Sequence, residues 1–421
     1  MIAPKRTAAI ASDLGAAFRE AVEADLADLW RKHAAEAGWP GATVRVSLGQ
    51  GECFVWSAGR ARQDADRPMD PETGFHVASV GKMFTAVLML QLAEAGRLGP
   101  RGLNAPLSSF VEMEDIAAVA PVVRDEPITI RQMLNHSSGL RDAFNDDGAL
   151  LATENGGRPA PGSLGAHLRR ALTPDPETGR GWPAWDPNRP GEATAGVLNW
   201  FIWGGRAAEA LAHRPGARFH YSDTAYMLLA LLAERLAGRS YEVLCRERIF
   251  APLGMQDTYL AYGDLAPEGW RSRVADFSYA GRAVFSEGLD ASWDWGGGGQ
   301  ISTTADLDTF LRALLSGRLF ERPRTGRGMT RWTRPPNLPP GCTGMGLGVR
   351  RLRSDRRVDL VGHAGAWSVQ AFYVPEFDAT ITGSFNLPMG LDERLRTWVL
   401  AVADRLPLLA QRDPDWVSFP Y

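Results

Sequence analysis

Apolar residues recur at spacings of three and four over residues 12–37. Leu14, Phe18, Val22, Leu26 and Leu29 then share one face, which predicts an amphipathic helix. The segment ATVRVSLGQGECFVWSAG alternates apolar and polar residues around Gly49-Gln50-Gly51, a hairpin signal. A second helix is predicted from near Ser79 to about Gly96. Met83, Phe84, Val87, Leu88, Leu90, Leu92 and Ala93 make it apolar nearly all round, so it belongs in the interior. Gly96 and Gly99-Pro100 end it. Short helices are expected within 101–145, including ITIRQMLNHSSGL, and helical patterns return over 195–212, 222–238, GRSYEVLCRERIFAPLGM and 305–316. GMGLGVRRL, RVDLVGHAG, WSVQAFYVP and ATITGSFN read as four short strands at hairpin spacing, and a last helix is expected over about 391–407. Residues 146–192 are rich in Gly and Pro and lack periodicity, the signature of a functional loop, lid or insertion.

Strands at both ends with helices between them predict an α/β sheet domain assembled from residues 1–100 and 270–421. An all-α domain over 101–269 is inserted between the halves. Composition narrows the functional classes. With 46 basic and 49 acidic residues the net charge is -3, which gives no electrostatic basis for binding nucleic acid or an anionic membrane. Cys53, Cys245 and Cys342 are too few and too scattered for a disulfide framework or a cysteine zinc site. No run of 18 apolar residues and no secretory leader stands out, so a cytoplasmic location is expected. Among the 46 basic residues only Lys5, Lys32 and Lys82 are lysines.

That bias draws attention to Ser79-Val80-Gly81-Lys82. A serine hydroxyl is a weak nucleophile until a base lies within hydrogen-bond reach, and residues i and i+3 share a helix face. Arginine could supply charge at position 82 but not a removable proton; a desolvated lysine can lose one. An N-cap serine beside a surface lysine would give the same tetrapeptide, yet Lys82 lies in an apolar run. A second group, His220-Tyr221-Ser222-Asp223, precedes the apolar helix TAYMLLALLAERLAG. Ser222 or Asp223 fits an N-cap; alternatively Tyr221, its phenol pKa lowered by an ammonium, relays a proton between nucleophile and leaving group. A third, Gly362-His363-Ala364-Gly365-Ala366-Trp367, joins two strand-like segments. Its small residues would let a substrate backbone lie alongside, with a free N–H facing an oxyanion.

The order of these three groups, together with LNHSSGL at 134–140, APLGMQDT at 251–258 and GGGQISTTADLDTF at 297–310, resembles the serine β-lactamase-related family. That family includes class C β-lactamases, D-stereospecific aminopeptidases, DD-carboxypeptidases and family VIII carboxylesterases. The resemblance runs from about residue 40 to 405. It implies a β-lactamase/transpeptidase-like fold, an antiparallel sheet flanked by helices with an inserted helical domain, and an acyl-enzyme mechanism. On that pattern Ser79 is the nucleophile, Lys82 its base and Tyr221 the proton relay, with the backbone N–H groups of Ser79 and Ala366 as oxyanion hole.

Two departures from the family pattern bear on substrate. The usual Tyr-x-Asn is Tyr221-Ser222-Asp223, and an ionised aspartate cannot donate an amide hydrogen bond. Asp223 could instead pair with Lys82, which would weaken the lysine as a base, or attract a cationic group. The usual Lys-Thr-Gly is His363-Ala364-Gly365, a variant that the resemblance associates with the esterase and D-aminopeptidase branches. Loss of the fixed cation there argues against a carboxylate-bearing β-lactam as main substrate.

His136 is expected to line the pocket or support it, and no histidine spacing suggests a metal site. Nine of fourteen tryptophans fall between Trp182 and Trp367, and Trp182, Trp185 and Trp367 suggest an aromatic wall around a hydrophobic pocket. The expected activity is hydrolysis of small or hydrophobic carboxylic esters without a cofactor. Amide hydrolysis, weak β-lactamase activity, acyl transfer and non-hydrolytic ligand binding are the alternatives.

Overall fold

The computed structural model describes residues 16–33, 41–49, 51–62, 64–110, 127–142, 211–279, 282–283, 285–286, 295–386 and 392–407. Its centre is a seven-stranded antiparallel sheet. The strands are β1 (Gly41–Leu48), β2 (Cys53–Gly59), β3 (Cys342–Met345), β4 (Arg350–Arg353), β5 (Asp359–Gly365), β6 (Val369–Val374) and β7 (Ala379–Phe385), in the spatial order β2-β1-β7-β6-β5-β4-β3. The chain's beginning and end meet where β1 pairs with β7, Val44 opposite Gly383 and Val46 opposite Ile381.

The period-two pattern decides which residues face which layer. Ala42, Val44, Val46 and Leu48 of β1 pack with Ala379, Ile381 and Phe385 of β7 beneath helix α1 (Ala16–His33), contributing Phe18, Val22 and Leu26. The C-terminal helix (Asp392–Arg405) supplies Leu395, Trp398, Val399 and Val402 to the same layer, and Arg405 clamps Asp25 of α1 through two hydrogen bonds of 2.9 Å. The opposite face carries Thr43, Ser47, Thr380 and Thr382, which meet a helix over Thr304–Leu315 through polar contacts such as Thr382 to the Thr304 carbonyl, 3.0 Å.

On that second side lies the larger core, built around α2 (Lys82–Glu94). Ten of its residues are buried, Met83 to Leu90 without interruption, as an all-round apolar helix demands. Its end is set by Gly96 at φ +72°, where the Arg97 N–H returns to the Leu92 carbonyl at 2.9 Å. The partner helix over Asp223–Ala237 begins at Ser222, whose hydroxyl accepts the Ala225 N–H at 3.1 Å.

One expected strand, GMGLGVRRL, is two. Gly348 at φ +75° turns the chain, and β3 and β4 form a hairpin on either side. The segments 146–192 and most of 195–212 lie outside the described residues, as do Trp182 and Trp185.

Candidate active site

Ser79 does not sit inside α2 but in a single 3₁₀ turn, Ala78–Gly81, that leads into it. Side chains three residues apart eclipse in a 3₁₀ turn, and Lys82 Nζ stands 3.1 Å from Ser79 Oγ. The turn is strained: Ala78 has φ +47°, in the left-handed region that a β-carbon disfavours. Two contacts hold it, one local and one long-range. The Ala78 N–H donates to Nδ1 of buried His76 at 3.2 Å, and Gly298 lies so close that a Cβ there would sit 2.0 Å from the Ala78 carbonyl oxygen. The glycine run 296–299 is thus a packing surface for the nucleophile turn. Its Gly297 carbonyl accepts from Lys82 at 2.8 Å, and its Gly296 carbonyl from Thr85 at 2.6 Å.

Tyr221 approaches from the other side, its hydroxyl donating to Ser79 Oγ at 2.6 Å. The N-cap at Ser222 ends the extended segment there, with Tyr221 just outside the helix and Asp223 in its first turn. His136, from the loop after the short helix Ile130–Leu134, stacks on the Tyr221 ring at 4.3 Å and accepts the Ser222 N–H on Nδ1 at 3.2 Å. It supports Tyr221 from behind. Lys82 is fully buried and forms an ion pair with Asp223. Its ammonium also lies 5.0 Å from the centroid of the Tyr221 ring.

The expectation that an ammonium lowers the Tyr221 pKa is corrected by its surroundings. Burial outweighs the Lys82 charge, and the phenol is pushed up to about 12. Tyr221 therefore keeps its proton at neutral pH.

Strand β5 ends against the nucleophile turn. Only glycine fits at position 365, because a Cβ would lie 2.4 Å from the Val77 carbonyl oxygen. Ala366 follows at this junction. His363 is fully buried, with Nδ1 donating to the Ala364 carbonyl at 2.7 Å, and lies 6.4 Å from the Tyr221 ring. Trp367 does not form an open pocket wall. Its indole is 4% exposed, stacked at 4.1 Å on Phe277 and edge-on to His76, so it backs the turn from the core. Arg350, which no motif marked, brings its guanidinium carbon to 5.3 Å from the Tyr221 ring centroid. Among the described residues no three His, Cys, Asp or Glu side chains gather as a metal set.

Three of these imidazoles link the site to stability. Burial pushes His76 down to about 3 from an ordinary 6.5. Burial, with the charges of Lys82 and Arg350, holds His136 and His363 well below that value. Their neutral forms contribute stability that is full above the unfolded pKa and is lost as pH falls toward the folded values. Urea titrations are expected to show stability falling between about pH 6.5 and 5, with about 2 kcal/mol of the loss from His76 alone. Equal stability at both ends would contradict neutral, buried imidazoles.

The sequence model of the family described as Beta-lactamase matches residues 19–404. The serine beta-lactamase-like protein LACTB, mitochondrial, of Mus musculus is 28% identical over 332 residues, covering 71% of this chain and 58% of that protein. The chain thus spans less than two thirds of that relative. Penicillin-binding protein 4* of Bacillus subtilis is 25% identical over 345 residues, covering 77% and 62%. Among solved structures, D-amino acid amidase from Ochrobactrum anthropi SV3 complexed with L-phenylalanine superposes with a TM-score of 0.66 at 21% identity, over 94% of this chain and 99% of that one. At that identity the likeness shows the fold, a β-lactamase/transpeptidase-like arrangement of antiparallel sheet and flanking helices.

Proposed function

We propose that this chain, which belongs to the beta-lactamase family, is a serine hydrolase that forms an acyl-enzyme on Ser79 and acts on carboxylic esters. The observation that carries the reading is the position of Ser79 Oγ, 3.1 Å from Lys82 Nζ and 2.6 Å from the Tyr221 hydroxyl. In this account the neutral amine of Lys82 takes the Ser79 proton as the oxygen attacks the carbonyl carbon. The backbone N–H groups of Ser79 and Ala366 receive the developing oxyanion. Tyr221, protonated at working pH, passes its proton to the leaving oxygen and is reprotonated from Lys82. Water then repeats the attack on the acyl-enzyme and frees Ser79.

Asp223 supports esters over amides. Its carboxylate pairs with the Lys82 ammonium, which weakens the lysine as a base and gives the more reactive acyl group the advantage. It also takes the place of an amide donor. Asp223→Asn removes that pairing, so the rising limb of the kcat/KM–pH profile is expected to move toward acid. A limb that stays put, or moves toward alkali, would mean that the lysine is not the titrating base.

The amide reading keeps a place because D-amino acid amidase shares the fold. A panel of p-nitrophenyl esters and D-amino-acid anilides, run on wild type and Ser79→Ala, decides between them. Ester turnover that vanishes in Ser79→Ala supports the proposal. Turnover of anilides alone would replace it with amide hydrolysis.

A further inference from the structure

We infer that Thr85, Tyr241 and Gln300 are positioning residues for Lys82, fixing the backbone carbonyl that aims its lone pair at Ser79; this rests on the hydrolase reading above. The need for such a carbonyl comes from counting hydrogens. A neutral amine has two N–H groups and one lone pair, and Lys82 Nζ lies against Asp223, Gly297 and Ser79. The Asp223 carboxylate and the Gly297 carbonyl can only accept, so they occupy both N–H groups. The lone pair is then left for Ser79 Oγ, 3.1 Å away. Were the Gly297 carbonyl to turn aside, an N–H could rotate toward Ser79 and the base would be misdirected.

Glycine makes that carbonyl hard to hold. The helical turn Trp295–Gly298 passes so close to its neighbours that a Cβ at position 296 would lie 2.3 Å from the Ala230 Cβ. Yet glycine rotates more freely than any other residue. The carbonyls of this turn are held from outside, each by a side-chain donor. Gln300 Nε2 reaches the Trp295 carbonyl at 3.4 Å, Thr85 Oγ1 that of Gly296 at 2.6 Å, and Lys82 that of Gly297 at 2.8 Å. Lys82 and Thr85 are three residues apart on α2, so one helix face presents both donors to successive peptide units.

The donors form a chain with one direction. A carbonyl cannot donate, so the hydroxyl proton of Thr85 goes to Gly296 and its oxygen accepts from Tyr241, 2.7 Å away. The Tyr241 oxygen in turn accepts from Gln300 Nε2 at 3.0 Å. Burial holds the Tyr241 phenol well above its ordinary 10, so it stays a donor at working pH. Gln300 anchors the far end against the nucleophile turn. Its backbone carbonyl accepts the Val77 N–H at 2.9 Å, and a Cβ on Gly81 would lie 2.0 Å from its Oε1.

Thr85→Val keeps the shape of the side chain and loses the donor to Gly296. It is expected to lower kcat/KM on p-nitrophenyl esters about 10- to 100-fold per active site, the sites being counted by fluorophosphonate titration. Thr85→Ser, which retains the hydroxyl, should return the value to within about threefold of wild type. Tyr241→Phe should cost less than Thr85→Val, because Thr85 can still donate to Gly296. An unchanged kcat/KM per site in Thr85→Val, with only fewer sites or a lower Tm, would mean that the chain serves stability alone and would overturn the inference.

Titration of Lys82 without turnover separates this idea from the hydrolase reading. Lys5, Lys32 and Lys82 are the only lysines, so a protein labelled with ¹³Cε-lysine gives three signals, and Lys82→Arg identifies the one that matters. Asp223, Tyr221, Tyr226, His136 and His363, the titratable groups around Lys82, are the same in wild type and in both Thr85 variants. An accepting carbonyl favours the ammonium form. Lys82 is therefore expected to titrate at lower pH in Thr85→Val than in wild type, and at the wild-type pH in Thr85→Ser. The same midpoint in wild type and Thr85→Val would refute the positioning role, whether or not any ester is hydrolysed.

Discussion

Lys82→Arg is expected to cost about a thousandfold or more in kcat/KM on esters while the protein stays folded and the site keeps its positive charge. General base catalysis contributes about 10²- to 10⁴-fold, and a guanidinium cannot surrender its proton at any working pH. Arginine also overfills the space. Lys82 is fully buried between Ser79, Asp223 and the Gly297 carbonyl, and Gly298 already packs as closely as a backbone allows. Extra atoms there cost about 1–3 kcal/mol of stability, so circular dichroism and melting should accompany the kinetics. A folded Lys82→Arg protein within tenfold of wild type would show that charge at position 82, rather than proton transfer, is what the reaction needs.

Tyr221→Phe isolates the relay. The ring should keep its stack on His136, so the change is confined to the hydroxyl that meets Ser79 Oγ. Loss of a positioned proton donor is expected to lower kcat about 10²- to 10⁴-fold on alkyl esters. Because the phenol titrates at about 12, it serves at neutral pH by donating and retrieving a proton, not as a standing phenolate. The penalty should therefore shrink on p-nitrophenyl esters, whose leaving group departs without protonation. A penalty independent of leaving group would assign Tyr221 to nucleophile activation or to structure.

Much of the local architecture was legible from residue patterns. The buried helix after Ser79, the N-cap at Ser222, the β1–β2 hairpin and the C-terminal strands all follow from periodicity and turn residues acting over a few positions. What local pattern could not supply was long-range cause. Ser79 lies outside α2 because His76 and Gly298, the latter more than 200 residues away, hold Ala78 in a left-handed conformation. The glycine run 296–299 was visible as a run, but its purpose is close packing, which only the fold reveals. The rise in the Tyr221 pKa was missed because proximity to an ammonium can be anticipated from motifs, whereas the depth of burial cannot. Arg350 was hidden for a plainer reason: it is one arginine among 43, and its place beside Tyr221 depends on pairing between β4 and β5. Trp367 was a misreading of a different kind, since an indole near a motif serves equally well as core.

The central claim is that Ser79 is the nucleophile. Labelling the protein with a fluorophosphonate and mapping the adduct by peptide mass spectrometry tests it most directly. A single adduct on Ser79, formed as esterase activity disappears and absent in Ser79→Ala, is the expected result. An adduct on another residue that accompanies the loss of activity would contradict the account.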